Sequence, residues 1–147
     1  MRILKKLVLC FQQNSILHSK KNRPMLLRLS GVKVGKHVHI GEHVIIDTMF
    51  PENITIGDNT TITMRCTILT HYYKPNSKNK RFFEGKVNIG KRVFMGCHSV
   101  ICAPVNIGDD AVIAAGAVIT KDIPSGEIWG GYQPSLLQKG HLLTLGA

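Results

Sequence analysis

The chain has 147 residues, of which 44% are hydrophobic and 19% are charged, a composition that fits one globular domain. Its formal net charge of +10 indicates an anionic partner, such as a nucleic acid, a membrane surface or a phosphate-bearing cofactor. Nucleic-acid recognition requires a motif such as aromatic ribonucleoprotein strands or a recognition helix, and the sequence shows neither. We therefore expect no nucleic-acid partner.

Cysteine usage and the N-terminal hydropathy bear on the compartment. The four cysteines, at positions 10, 66, 97 and 102, have no C-x-x-C spacing and do not form a disulfide framework. The apolar run at residues 7–11 is too short for a secretory signal or a membrane span. The sequence therefore predicts reduced thiols and a cytoplasmic location.

Residues 1–30 mix apolar side chains with lysines and arginines. They predict two short helices separated by a break around residues 22–24, where Asn22 and Pro24 stand. One interpretation is a basic amphipathic anchor for a membrane or an acidic glycan. We favour a helical cap, because repeat proteins must cover the unpaired edge at the end of the array, and we keep peripheral membrane contact as the alternative.

Residues 31–124 carry a six-residue repeat in which an aliphatic residue is usually followed by a small one. A helix would repeat near 3.6 residues and a flat strand near two, whereas six residues fit one flat rung and one corner of a triangular coil. The sequence therefore predicts an all-β solenoid, a single left-handed parallel β-helix of about four coils. The repeat positions are Val34, Ile40, Ile46, Ile56, Ile62, Ile68, Ile89, Met95, Ile101, Ile107, Ile113 and Ile119.

Three segments depart from the repeat. Residues 48–53 hold four extra residues and predict a bulged corner, and residues 72–86, rich in Pro, Asn, Ser and basic residues, predict one extruded loop. Residues 125–147 leave the repeat through several glycines and predict a C-terminal strap or a short helix. Irregular segments of a regular solenoid are where ligand contacts concentrate.

The predicted interior is filled by stacked isoleucine side chains and leaves no internal pocket. A ligand would therefore bind in a groove between two solenoids, which predicts an oligomer. Three-fold packing would create three equal grooves.

The hexads, the segment ENITIGDNTTITMRCTILTH and the segment VIAAGAVITKDIPSGEIWGGYQP resemble the hexapeptide-repeat acyltransferases. The resemblance covers about residues 30–137 and is most specific to the maltose/galactoside O-acetyltransferase and capsular-polysaccharide acetyltransferase branch. It implies a homotrimer with active sites between subunits, acetyl-CoA as acyl donor, and a sugar or glycan hydroxyl as acceptor. It therefore points to polysaccharide biosynthesis.

The resemblance places the chemistry on residues next to the irregular segments. The family's catalytic histidine stands just before the extruded loop and matches His71, and imidazole is the usual general base for a hydroxyl near neutral pH. Asp47 matches a position that contacts the acceptor, where it could bind a sugar hydroxyl or orient His71. Tyr72, Phe82 and Phe83 could add acceptor contacts. The structural alternatives are a surface histidine, an ordinary corner residue and packing of the loop.

The resemblance places the acyl donor along the later coils. The backbone N–H of Cys97 would hold the thioester carbonyl, where a fixed donor stabilises the developing oxyanion. Tight corners require small residues for structural reasons too, and a surface lysine needs no ligand. One departure from the family is Ser135, which follows the proline where a basic residue is usual. The remaining positions implied to contact acetyl-CoA are Ala115, Gly116, Thr120, Lys121 and Trp129.

The histidines at positions 37, 39 and 43 suggest a metal site, but residues six apart in a triangular coil lie on different faces. A zinc site of the γ-carbonic anhydrase type would need a third ligand beside His71 and His98, and the spacing offers none. We therefore expect no metal. The alternatives to an O-acetyltransferase are an N-acetyltransferase of an amino sugar, a γ-carbonic anhydrase-like metalloprotein and a non-catalytic scaffold.

Overall fold

The computed structural model describes residues 22–73, 82–132 and 135–139. The helix predicted before residue 22, residues 74–81 of the predicted loop and residues 140–147 of the predicted strap lie outside this description. Within the described ranges the chain forms one α-helix, a short 3-10 helix and a series of short β-strands. No helix in those ranges has the length and hydrophobicity needed to cross a bilayer.

Helix α1 spans Arg23–Ser30 and packs on the first two strands. Pro24 stands in its first turn, where an N–H has no intrahelical partner, and Gly31 ends it in the left-handed conformation at φ 110°. The side chain of Leu27 is fully buried against the first coil. The buried Arg23 donates from Nη1 to the carbonyl oxygen of Ile40 at 3.1 Å.

Three sheets form the body of the protein, their strands parallel except for the last one on face B, and successive coils pass from face A to face B to face C. Face A contains β1 (Lys33–Val34), β4 (Ile54–Ile56), β9 (Val87–Ile89) and β12 (Val105–Ile107). Face B contains β2 (His39–Ile40), β5 (Thr61–Ile62), β10 (Phe94–Met95), β13 (Val112–Ile113), β15 (Glu127–Gly130) and β16 (Ser135–Lys139). Face C contains β3 (Ile45–Ile46), β6 (Thr67–Ile68), β11 (Val100–Ile101) and β14 (Val118–Ile119).

This cyclic order of parallel strands confirms the all-β parallel solenoid that the six-residue spacing predicts. The left-handed direction of winding and the number of coils stay predictions. In the regular part, Ile89 pairs with Ile107, one coil of three hexads later.

The irregular segments leave the register of the rungs intact. Ile46 pairs with Ile68 although four extra residues intervene, and Ile68 pairs with Ile101 across the longer excursion. The first insertion contains the 3-10 helix Pro51–Asn53 at a corner. Insertions are thus carried outside the coil, so each aliphatic repeat residue still meets the same face of the core.

Two predicted segments are more regular than expected. The excursion at residues 72–86 begins and ends as an antiparallel ribbon of β7 (His71–Tyr73) and β8 (Phe82–Glu84). The strap begins as β15, which extends face B parallel to β13, and returns as β16 antiparallel to β15. The alternative of a short terminal helix is therefore wrong for residues 135–139. The edge of β13 explains this, because its N–H and C=O groups require a partner.

Close stacking of the coils dictates the small residues after the aliphatic ones. A Cβ atom added at Gly96 would lie 2.4 Å from the backbone nitrogen of Ala115 on the next coil. Its neighbour on β10, Met95, is fully buried in the continuous aliphatic core. Gly96 is therefore required by packing between coils, and this need explains its small side chain without a ligand.

We predict that Gly96→Ala destabilises the fold by about 1–3 kcal/mol, because the added methyl must push two stacked backbones apart. Cys97→Ala is the matched control, since it removes one atom from the next, half-buried corner position and should change stability by less than about 1 kcal/mol. Urea unfolding at a fixed protein concentration measures both changes. Equal stability of Gly96→Ala and the wild-type protein would contradict the close approach.

Candidate functional site

Three corners connect the faces, and the predicted site residues divide between two of them. Corner BC consists of residues 41–44, 63–66, 96–99 and 114–117, and corner CA consists of residues 47–53, 69–71, 102–104 and 120–122. Corner AB consists of residues 35–38, 57–60, 90–93 and 108–111. His71, Asp47, Thr120 and Lys121 belong to corner CA, whereas Cys97, Ala115 and Gly116 belong to corner BC.

The structure brings Asp47 and His71 together. Asp47 directly follows β3 and His71 comes shortly after β6, and these two strands are neighbours on face C. Oδ2 of Asp47 lies 2.7 Å from Nδ1 of His71. The parallel pairing of the two rungs therefore places a carboxylate against the imidazole, although the two residues are far apart in sequence.

Asp47 is held by a set of donors. Its side chain is only 2% exposed, Oδ1 accepts from the N–H of Met49 at 2.7 Å, and Oδ2 accepts from the N–H of Thr70 at 2.8 Å and its hydroxyl at 2.7 Å. Burial acts to raise the pKa of Asp47, but the hydrogen bonds from Thr70, Met49 and His71 outweigh it and hold the pKa below its ordinary value. Asp47 is therefore an ionised, fixed carboxylate.

This environment bears on the two predicted roles of Asp47. Both oxygens already accept from protein donors, and the residue is buried. The geometry fits orientation of His71 better than direct contact with an acceptor sugar. The substrate-contact role of Asp47 stays a prediction.

The carboxylate also determines which nitrogen of His71 carries the proton. An ionised carboxylate only accepts hydrogen bonds, so Nδ1 of His71 is the donor and a neutral ring keeps its lone pair on Nε2. The side chain of His71 remains 24% exposed. A buried carboxylate thus holds a partly exposed imidazole in one orientation.

The ribbon next to the base supplies aromatic contacts. The ring of Phe82 on β8 meets His71 edge to face, with centroids 5.6 Å apart. Tyr72 is half-buried and its ring lies 5.9 Å from that of Phe83 across the ribbon. Tyr72 follows His71 in the chain, but its ring packs on the ribbon. This placement fits the alternative of loop packing.

The backbone at Cys97 has the property that the predicted oxyanion contact needs. The carbonyl oxygen of Cys97 accepts from the N–H of Gly116 at 2.8 Å, which fixes the corner. Among the residues that the structure describes, none accepts a hydrogen bond from the N–H of Cys97. The N–H of Cys97 therefore remains a candidate for the predicted oxyanion contact.

Small exposed residues continue this surface on the next coil. Ala115 and Gly116 are exposed, and a Cβ atom added at Gly116 would meet nothing within 4 Å. Gly116 has φ +70°, so glycine is favoured at this position by the backbone conformation and not by crowding. These two residues leave an open surface beside Cys97 that a narrow chain could follow.

The remaining predicted donor contacts lie at the end of the solenoid. Thr120 and Lys121 are exposed on corner CA, and Nζ of Lys121 lies 4.8 Å from the centroid of the Trp129 ring. Trp129 pairs with Ile113, packs against the core and donates from Nε1 to Glu127 at 2.8 Å. The placement of Trp129 fits an anchor of the last strands better than the predicted contact with acetyl-CoA.

The sequence analysis does not identify Thr70, which fixes Asp47 through two hydrogen bonds. Thr70 directly precedes the predicted base, so its hydroxyl is a signal that the sequence offers. Phe82 is predicted only as an acceptor contact or as loop packing. Its contact with the His71 ring is not predicted, because the ribbon register that brings Phe82 to His71 has no sequence repeat.

The described residues contain no group of three or more His, Cys, Asp or Glu side chains arranged to hold a metal ion. His37 and His43 stand on corners AB and BC, whereas His39 lies on face B between them. The three histidines therefore do not converge, as their spacing predicts.

Comparison with known proteins supports the resemblance. Residues 86–121 match the family described as the hexapeptide repeat of succinyl-transferase. The chain is 42% identical over 100 residues to the putative acetyltransferase YvoF of Bacillus subtilis, covering 68% of this chain and 56% of that protein. It is 34% identical to the galactoside O-acetyltransferase of Escherichia coli, covering 66% of this chain and 51% of that protein.

A solved structure extends the likeness to the fold. The structure of a galactoside acetyltransferase in complex with coenzyme A aligns with a TM-score of 0.73 at 24% identity, over 95% of this chain and 80% of that one. The chain spans only a little over half the length of the two relatives. Residues 86–121 thus carry the hexapeptide repeat, and the chain is similar to acetyltransferases over about two thirds of its length.

Proposed function

We propose that this protein is a CoA-dependent O-acetyltransferase that moves an acetyl group from acetyl-CoA to a hydroxyl of a sugar or polysaccharide precursor. The observation that carries the proposal is the contact of 2.7 Å between the buried carboxylate of Asp47 and Nδ1 of His71. With Nδ1 donating to that carboxylate, Nε2 of a neutral ring carries the lone pair, and the His71 side chain is 24% exposed. This arrangement suits removal of a proton from a hydroxyl.

In the proposed reaction His71 takes the proton of the acceptor hydroxyl as the hydroxyl oxygen attacks the thioester carbonyl carbon directly. Asp47 keeps the ring oriented and stabilises the imidazolium that forms. The proton then passes from His71 to the departing thiolate of CoA, so no covalent enzyme intermediate is needed. The N–H of Cys97 donates to the carbonyl oxygen as negative charge develops on it, a contribution of about 3 kcal/mol in comparable sites.

The two halves of this site stand on different corners of one chain, which favours a site between subunits. His71 lies on corner CA and Cys97 lies on corner BC, with face C between them. Large apolar side chains are exposed around corner BC, at Ile45, Met64 and Phe94, which are 45%, 53% and 45% exposed. Such a patch indicates a protein contact. We infer a homotrimer in which corner CA of one subunit faces corner BC of the next.

The donor and the acceptor class rest on the relatives. Two of the matched proteins are a galactoside O-acetyltransferase and a galactoside acetyltransferase bound to coenzyme A, and both are acetyltransferases by name. The open surface at Cys97, Ala115 and Gly116 fits a narrow pantetheine arm. The net charge of +10 suits the phosphates of CoA. Lys121 is the residue we assign to them, with Thr120 beside it.

We predict that His71→Asn lowers kcat about 10²- to 10⁴-fold, because the proton acceptor is removed. His37→Asn is the matched control, since His37 is an exposed histidine on corner AB and asparagine tolerates its positive φ of 53°. Release of CoA thiol with acetyl-CoA and a panel of sugars measures both. An unchanged rate in His71→Asn would overturn the proposed base.

The Asp47 carboxylate should make stability depend on pH. Because its pKa is lowered in the folded protein, its ionised form stabilises the fold above about pH 4, and that contribution is lost as the pH falls through the lowered value. We expect the difference in unfolding free energy between the wild-type protein and Asp47→Asn to shrink as the pH falls from 6 toward 3. Chemical denaturation at several pH values measures this difference. A constant difference would show that the carboxylate is not held as an anion.

The surface proposed for the acyl donor can be blocked directly. Ala115→Phe should raise the KM for acetyl-CoA about tenfold or more and abolish stabilisation of the protein by CoA in a thermal-shift assay, because a ring would fill the exposed corner. Lys91→Phe places the same ring on an exposed position of corner AB and should leave both values unchanged. Equal KM values for the two variants would exclude corner BC as the donor surface.

A further inference from the structure

A column of basic side chains runs along corner BC. His43, Arg65 and His98 occupy the same position on three successive coils, with φ values of 55°, 57° and 59°. The N–H of Arg65 donates to Glu42 at 2.8 Å, and the N–H of His98 donates to Met64 at 3.2 Å, which fixes the stacking. All three basic side chains are exposed. On the fourth coil the equivalent residue is Gly116, where the column ends.

Arg65 differs from the other arginines that the structure describes. Arg92 pairs with Asp110, with Nε and Oδ1 2.6 Å apart, while Arg23 donates to Ile40 and Arg28 donates to two backbone carbonyls. No hydrogen bond or ion pair engages the guanidinium of Arg65 within the described part of the chain. The nearby carboxylate of Glu42 lies 3.8 Å from Arg23 instead. Arg65 thus presents a free planar donor to the surface.

The basic column lies next to the surface proposed for the acyl donor, and this position suggests which ligand the column contacts. The proposed pantetheine path runs from Cys97 toward Ala115 and Gly116, that is, toward the C-terminal coils. Arg65 and His43 continue the same corner in the opposite direction, beyond the thioester carbonyl. An attacking hydroxyl approaches that carbonyl carbon from above or below the thioester plane, and the acceptor that carries it must occupy space that the pantetheine leaves open. The coil of Arg65 therefore borders the space for the acceptor.

We propose that the acceptor is an acidic sugar, and that Arg65, flanked by His98 and His43, binds its anionic group. The inference rests on the proposed function, since it assigns the acceptor class of the same site. A guanidinium binds a carboxylate or a phosphate through two parallel hydrogen bonds, so both anions share the chemistry that this column recognises. The column thus separates acidic acceptors from neutral ones by charge-assisted hydrogen bonds, and Arg65 is a specificity residue that leaves proton transfer to His71.

Matched pairs of acceptors test the inference with the protein saturated with CoA. The carboxylate arm compares galacturonic acid and N-acetylneuraminic acid with their methyl esters, and the phosphate arm compares galactose 1-phosphate with galactose. Saturation-transfer NMR measures binding, and acetyl-CoA turnover measures transfer. We expect the charged member of at least one arm to bind about tenfold or more tightly than its neutral partner.

Two variants assign the preference to Arg65. Arg65→Gln should remove the difference between charged and neutral members while leaving the KM for acetyl-CoA unchanged. Arg92→Gln is the matched control, because Arg92 has a φ of 55° at the equivalent position of corner AB, and it should keep the preference. Whichever arm shows the preference identifies the carboxylate or the phosphate as the anion.

Three results would overturn the inference. They are equal binding of charged and neutral members, absence of binding by every acid at tens of millimolar, and an effect of Arg65→Gln on acetyl-CoA instead of on the acceptor. Failure of the proposed function would look different. It would appear as turnover that does not depend on His71, whereas the NMR preference for acids is measured without turnover.

Discussion

Close stacking of one coil on the next is the constraint on which this structure depends. Each rung satisfies its backbone groups with the rungs above and below, so the coils must approach closely and stay in register. The approach leaves no room for a side chain at Gly96, and the aliphatic residue before it, Met95, is driven inward. The six-residue repeat of the sequence results from this constraint.

The same constraint converts sequence separation into proximity at the corners. Residues on neighbouring strands of one face are brought side by side, so Asp47 after β3 meets His71 after β6 without any local motif. The insertion after Asp47 includes the 3-10 helix Pro51–Asn53 at the corner. Met49, within that insertion, turns its N–H back to the carboxylate. The insertion that interrupts the repeat thus supplies the N–H of Met49 as a hydrogen-bond donor to Asp47.

The sequence predicts the parts of the molecule that repeat and fails where repetition stops. The core follows directly from the period of six, and every aliphatic repeat position after Val34 is buried. The pairing of Asp47 with His71 was foreseen only as one of two options, because the burial that selects it depends on hydrogen bonds from Met49 and Thr70. The ribbon of β7 and β8 was expected as a loop, since its pairing obeys no hexad.

Trp129 shows the same limit in another form. Trp129 follows the last hexad, and the free edge of β13 draws its segment into face B, where the register places Trp129 against the core beside Ile113. Edge pairing is a tertiary demand that the residues of the segment do not reveal. The strand register therefore determines whether a side chain packs on the core, whatever its chemical type.

The corner residues show how a rigid repeat can still acquire specificity. A left-handed backbone position on every coil fixes the direction of the side chain, so any residue accepted there projects into solvent at a constant spacing. Corner AB uses this position for Arg92, whose charge is cancelled by Asp110 on the next coil, while Arg65 on corner BC has no side-chain partner among the residues that the structure describes. Because the backbone is the same in both cases, the difference lies in the pairing of charge alone. The fold thus sets where a cation stands, and the neighbouring coil determines whether that cation is available to a ligand.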